Sequence, residues 1–216
     1  MTNVLIYGDS NVWGDTPNAR RLPDNQQWAS ILAKKLGKNI KIIQEGLCGR
    51  YAGGFEYHKR PYYNGQLHFE PIYRTALPVD LVILALGTND MKKLRYHREP
   101  SQIAEDILWY EPKVAQIIAN YPNEKMPQFL YILPPNFAED VISERPDDTA
   151  LDENVRREVN KILKMRVKNF VEINDIKLSA DGAHFSPLGH QQMAEAVFAK
   201  IKKIESGKND RNLEFN

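Results

Sequence analysis

The run LVILAL, residues 81–86, is apolar throughout, has the length of a strand, and is closed off by Pro78 and Asp80 before it and Gly87 after it. A segment with no polar alternation suits a strand buried on both faces, so other elements must lie on either side of it. Shorter runs of the same kind are NVLIY (3–7), IKII (40–43), FLYIL (129–133) and FVEI (170–173). Between them the apolar residues recur at helical spacing: Trp28, Ile31, Leu32 and Leu36; Leu151, Val155, Val159, Ile162 and Leu163; and Val197, Ile201 and Ile204. Residues 101–119 are also helical in pattern, and Pro112 is expected to kink or split that helix near Glu111. Strands alternating with helices predict a parallel sheet covered on both faces, an α/β sandwich. Right-handed crossovers then bring the loops that follow the strands together at the carboxyl edge of the sheet, where such folds bind ligands.

A chain of 216 residues fits one large domain, expected here over residues 1–205. Two regions fit the alternation poorly. Residues 51–73 are rich in aromatics with no clear period and read as a long excursion, serving as lid, pocket wall, subsidiary core or subunit interface. Residues 206–216 read as a polar, frayed tail. A formal net charge of +1 gives no electrostatic reason to expect nucleic acid or an anionic membrane as partner. There is no apolar run of about 18 residues and no signal-peptide pattern at the start. The single Cys48 cannot form an internal disulfide, and a cytoplasmic location is the default expectation.

The stretch VLIYGDSNVWG (4–14) places Ser10 directly after the first strand, on the carboxyl edge. Ser10 is either turn chemistry or a nucleophile, and a nucleophile needs a base, an orienting acid and donors for an oxyanion. Of five histidines, His58, His68 and His97 lie among aromatic or charged residues and His190 falls inside the last helix. His184 differs. It stands three residues after Asp181, and Ser186-Pro187 behind it reads as an N-cap followed by proline at the first helical position. Asp181 can reach Nδ1 of His184 across such a turn and leave Nε2 free to accept a proton, although an Asp-x-x-His pattern can equally be a loop that only caps a helix. Asn89, in LGTNDMK after the central strand, could aim its side-chain NH₂ at the same edge. Gly49, in EGLCGRYAGG after the second strand, could present its backbone N–H. Each has an ordinary turn reading. Together, four loops after four strands carry a nucleophile, a backbone donor, an amide donor and an acid–base pair.

These blocks, GDSN (8–11), GLCGR (46–50), GTND (87–90) and DGAHFSPLGH (181–190), resemble in order those of the GDSL or SGNH hydrolases, over about residues 3–200. The fuller stretches GDSNVWG and LPVDLVILALGTNDMK look most like the arylesterase and acyltransferase-like branch. The resemblance implies a flavodoxin-like α/β/α sandwich on a parallel five-stranded sheet, and an esterase with no metal or organic cofactor. It also implies Ser10 as nucleophile, His184 as base and Asp181 as its partner. The oxyanion hole would be the N–H of Ser10, the N–H of Gly49 and the side chain of Asn89, with Asp9 holding the loop. Asn11 departs from the leucine common at that position, Cys48 from a small Ser, Asn or Ala, and Tyr51 from Thr. With Trp13, these three are the expected pocket residues. The expected partner is a small-molecule ester, with homo-oligomerisation left open. Rival readings are a non-catalytic small-molecule or carbohydrate-binding domain on the same fold, a thiol enzyme using Cys48, and a nucleotide-binding loop at GDSNVWG, which lacks the glycine pattern of phosphate loops.

Overall fold

The computed structural model describes residues 2–53, 61–92, 98–138 and 150–213. Five parallel strands, β1 (Asn3–Gly8), β2 (Lys41–Gly46), β3 (Leu81–Ala85), β4 (Gln128–Ile132) and β5 (Phe170–Val171), form one sheet in the order β2-β1-β3-β4-β5. This is the flavodoxin-like doubly wound order. Along each central strand the side chains alternate between two cores, as the two-residue repeat requires. Leu5, Tyr7, Val82, Leu84, Phe129 and Tyr131 enter one core, while Val4, Ile6, Leu81, Ile83, Leu130 and Ile132 enter the other.

Around the sheet lie α1 (Ser10–Trp13), α2 (Trp28–Leu36), α3 (Gly65–Ala76), α4 (Pro100–Leu108), α5 (Tyr110–Ile118), α6 (Glu153–Arg166) and α7 (Pro187–Leu213). Helices α3 to α6 supply the first core and α2 and α7 the second, giving three layers. Pro112 acts as expected: its ring would collide with the carbonyl of Leu108, four residues earlier, and α4 ends there, with Trp109 standing before α5 begins. The last helix starts where Ser186-Pro187 predicts, with the N–H of Gly189 donating to Ser186 Oγ at 3.1 Å, and it continues to Leu213 through residues expected to fray.

The expectation of an irregular excursion needs correcting over part of its length. Tyr57 and His58 lie outside the described residues, as does His97, but residues 65–76 are helical. Asn64 caps α3 by accepting from the N–H groups of Gln66 and Leu67. Its buried residues, Gly65, Phe69, Tyr73 and Ala76, follow the helical period, which Pro71 and the exposed Leu67 obscure in the sequence. Phe69 meets Tyr7 and Tyr110 edge to face, at centroid distances of 5.1 and 4.9 Å. These rings therefore belong to the main core, where such a pair adds about 0.5–1.5 kcal/mol beyond its burial.

Register sets up the edge on which the candidate residues lie. Gly8 pairs with both Gly46 and Ala85, so the loops after β1, β2 and β3 leave the sheet side by side. A side chain at Gly46 would run into the backbone of Trp13, so this glycine lets α1 sit directly on the end of β2.

Candidate active site

Ser10 is the first residue of α1, and Asp9 caps that helix from extended backbone, its Oδ1 accepting from the N–H of Asn11 at 2.9 Å. Burial pushes the Asp9 carboxyl up to about 6, against the opposing pull of that hydrogen bond. At the first position of a helix the Ser10 N–H has no intrahelical acceptor and remains a donor. Its hydroxyl meets a histidine from the far end of the chain: Ser10 Oγ and His184 Nε2 are 3.0 Å apart. On the other side of the ring, His184 Nδ1 is 2.5 Å from Asp181 Oδ2.

The Asp181–His184 turn holds itself. Asp181 Oδ1 accepts from the backbone N–H groups of Ala183 and His184, at 3.1 and 3.0 Å. Burial would raise the Asp181 carboxyl, but the His184 side chain and these two N–H groups together hold it well below the usual carboxylate range. The effect on His184 is reciprocal. Burial acts to lower its pKa, yet Asp181, with Asp15 and Asp9 behind it, leaves it above the ordinary value.

Asn11 ties this turn to the loop that carries Ser10. Its Oδ1 accepts from Phe185 N–H at 2.9 Å and its Nδ2 donates to the Ala183 carbonyl at 3.3 Å, so its amide grips the backbone on both sides of His184. Both ends of the side chain are thus engaged by protein, which accounts for asparagine where a leucine is common.

Gly49 lies beyond β2 with φ +81°, a left-handed conformation that favours glycine, and a Cβ there would stand 3.2 Å from the Tyr63 ring. Asn89 is buried in a single turn after β3, and its Nδ2 donates to the Arg50 carbonyl at 3.0 Å. That bond takes one amide hydrogen and leaves the second. The loop behind Gly49 is braced from below. Ala52 N–H donates to Asp90, and Arg98 joins Asp90, Asp106 and the Gly53 carbonyl. Burial pushes the Asp90 carboxyl up to about 7. The Arg50 guanidinium stacks over Tyr7 at 4.0 Å and donates to the carbonyls of Gly8 and Glu45.

The remaining pocket candidates are placed differently from one another. Trp13 is half-buried beneath the Arg21 guanidinium. Tyr51 is fully buried, and its backbone pairs with residues 63 and 65. Cys48 is half-buried beside Asp15, and burial together with that carboxylate pushes its thiol up to about 12. A thiol held so far above its ordinary range stays protonated at neutral pH, which weighs against a thiol nucleophile. His190 is wholly buried in α7, held neutral by a pKa pushed down to about 4 by burial, and its Nδ1 accepts from Trp28 N–H.

Asp15 escaped the sequence reading. Its N–H donates to the Ser10 carbonyl at 3.0 Å, which folds it back over the Ser10 loop, and its Oδ2 lies 3.7 Å from His184 Nε2. An acidic residue directly after the GDSNVWG block was the available signal. Among the described residues no group of three or more His, Cys, Asp or Glu side chains is arranged to hold a metal ion, and no helix is long and apolar enough to cross a membrane.

A model of the GDSL-like lipase/acylhydrolase family matches residues 6–192. The chain superposes on the aryl esterase of M. smegmatis with a TM-score of 0.82 and 25% identity, over 94% of this chain and 99% of that one. A carbohydrate acetylesterase from Sinorhizobium meliloti gives 0.81 and 26%, over 94% and 100%. A lipase/acylhydrolase from Enterococcus faecalis, at 18% identity and 0.63 over 94% and 96%, shares the fold. Among curated proteins none matches by sequence.

Proposed function

Because the chain belongs to the GDSL-like lipase/acylhydrolase family, we propose that it hydrolyses short-chain carboxylic esters through an acyl-Ser10 intermediate. The observation that carries this is the continuous line Asp181–His184–Ser10, with contacts of 2.5 and 3.0 Å. His184 Nε2 takes the Ser10 proton as Oγ attacks the ester carbonyl, and Asp181 steadies the imidazolium that forms. The tetrahedral oxyanion is received by the N–H of Ser10, the N–H of Gly49 and the free hydrogen of the Asn89 amide. Collapse expels the alcohol, protonated by His184, and leaves the acyl group on Ser10. Water, activated by the same histidine, then releases the acid. An alcohol or hydrogen peroxide in place of water would make the same intermediate a donor for acyl transfer. Aryl and acetyl esters are the first substrates to try, by extension from the aryl esterase and the carbohydrate acetylesterase that the chain is similar to.

An organophosphorus fluoride tests the nucleophile directly. It should phosphorylate Ser10 with loss of fluoride, as mapped by peptide mass spectrometry. Modification confined to another residue would overturn the proposal. For the oxyanion hole, Asn89→Ala should lower kcat on p-nitrophenyl acetate by about 10²–10³-fold, the usual effect of removing one such donor. A loss of less than about threefold would take Asn89 out of that role.

A further inference from the structure

Three carboxylates surround His184, and the ester chemistry proposed above uses only Asp181. Asp9 is buried under α1. Asp15 is mostly covered, its side chain 15% exposed and its Oδ2 3.7 Å from the nitrogen that faces Ser10. That distance is too long for a hydrogen bond, so Asp15 does not compete with Ser10 for His184. Nor is Asp15 free to swing away. Its Oδ1 accepts from Thr16 N–H at 2.9 Å, its own N–H is bonded to Ser10, and the protonated Cys48 thiol lies against it.

Among the described residues no lysine or arginine pairs with Asp15. In the same loop Arg21 is turned onto the Trp13 ring and donates to the carbonyl of Trp13 and the side chain of Gln27. A fixed negative charge, unpaired with any lysine or arginine among the described residues, therefore sits beside Nε2. The leaving oxygen of an ester must come within about 2.6–3.2 Å of Nε2 to collect its proton. Being that close to Nε2, it lies within about 7 Å of the Asp15 carboxylate.

We propose that Asp15 selects the ester by the charge of its alcohol part: cationic alcohols are favoured, neutral ones follow, and anionic ones are excluded. The inference rests on the esterase reading and narrows its substrate class. Charge on the alcohol is the same before and after the tetrahedral intermediate forms, so the selection acts on substrate and transition state alike and appears in KM rather than kcat.

The test compares acetylcholine with its neutral isostere 3,3-dimethylbutyl acetate and with the anionic 2-sulfoethyl acetate, following acetic acid release by pH-stat. In the wild type at low salt, kcat/KM should be roughly tenfold higher for the cationic than for the neutral ester, and lower again for the anionic one. Added salt should shrink both ratios, as it does for partly exposed charges. In Asp15→Asn both ratios should approach one and lose their salt dependence. Comparing substrates within one protein removes any general loss that the substitution causes, and the wild-type salt series stands by itself if the variant does not fold. Ratios near one in the wild type at low salt, or ratios unchanged in Asp15→Asn, would overturn the charge selection. If the neutral ester is still cleaved in a Ser10-dependent way in that case, the esterase reading survives. If no ester is cleaved at all, both fall.

Discussion

Ser10→Ala should lower kcat on p-nitrophenyl acetate by about 10⁴-fold or more while leaving the fold intact. The change deletes one oxygen whose hydrogen-bond partner on the other loops, among the described residues, is His184 Nε2, at 3.0 Å. The rest of the loop does not depend on that oxygen. Asp9 still caps α1, Asn11 still grips residues 183 and 185, and the Gly46 contact with Trp13 is untouched. The melting temperature should therefore stay within a few degrees of the wild type, because the loss of one hydrogen bond is usually worth about 0.5–1.5 kcal/mol. Activity and melting must be measured on the same preparation. A collapse of activity in a folded variant identifies the nucleophile, and the acetate-to-butyrate ratio of the wild type then sizes the acyl site. Equal activity in the two proteins would remove Ser10 from the mechanism. Attention would then turn to Cys48, despite the pressure that burial and Asp15 place on its thiol.

The layout of the sheet could be read from the chain because strands buried on both faces are largely apolar, and each of the five runs overlaps one of the five strands. Pro112 and Ser186-Pro187 could be read because proline acts locally, on the carbonyl four residues back or on the first turn of a helix. Helix α3 could not, because its buried face is made of Gly65, Phe69, Tyr73 and Ala76 while Leu67 faces solvent and Pro71 interrupts the pattern. Only the Tyr7 and Tyr110 rings packed against it show which side faces in.

The site divides in the same way. Ser10, Asn89, Asp181 and His184 could be singled out because each is a chemical group in a loop that follows a strand. The supports could not be, since their partners are distant in the chain. Arg98 reaches the Gly53 carbonyl, Arg50 reaches the Gly8 carbonyl, and Asn11 reaches residues 183 and 185. Asp15 belongs with them, because its meaning depends on a histidine brought in from the last loop.

Asp181→Asn should also cost about 10⁴-fold in kcat at neutral pH, for a reason specific to how this turn is built. In the native turn Asp181 Oδ1 accepts from two backbone N–H groups, and Oδ2 faces His184 Nδ1. An asparagine can satisfy those two donors only with its oxygen, so its NH₂ must face Nδ1. Nδ1 then becomes the acceptor, the ring proton moves to Nε2, and that nitrogen can no longer take the proton of Ser10. The pH profile separates this from mere loosening of the loop. In the wild type, kcat/KM should fall as the pH drops through the His184 pKa, which Asp181 holds above the ordinary value of 6.5. With the carboxylate gone, burial still favours the neutral ring and only Asp15 and Asp9 oppose it, so the acid limb should move to lower pH while the plateau collapses. A loosened loop would lower the plateau without that shift. An unmoved limb, or a plateau reduced less than about tenfold, would mean that Asp181 braces the turn and does not set the state of His184.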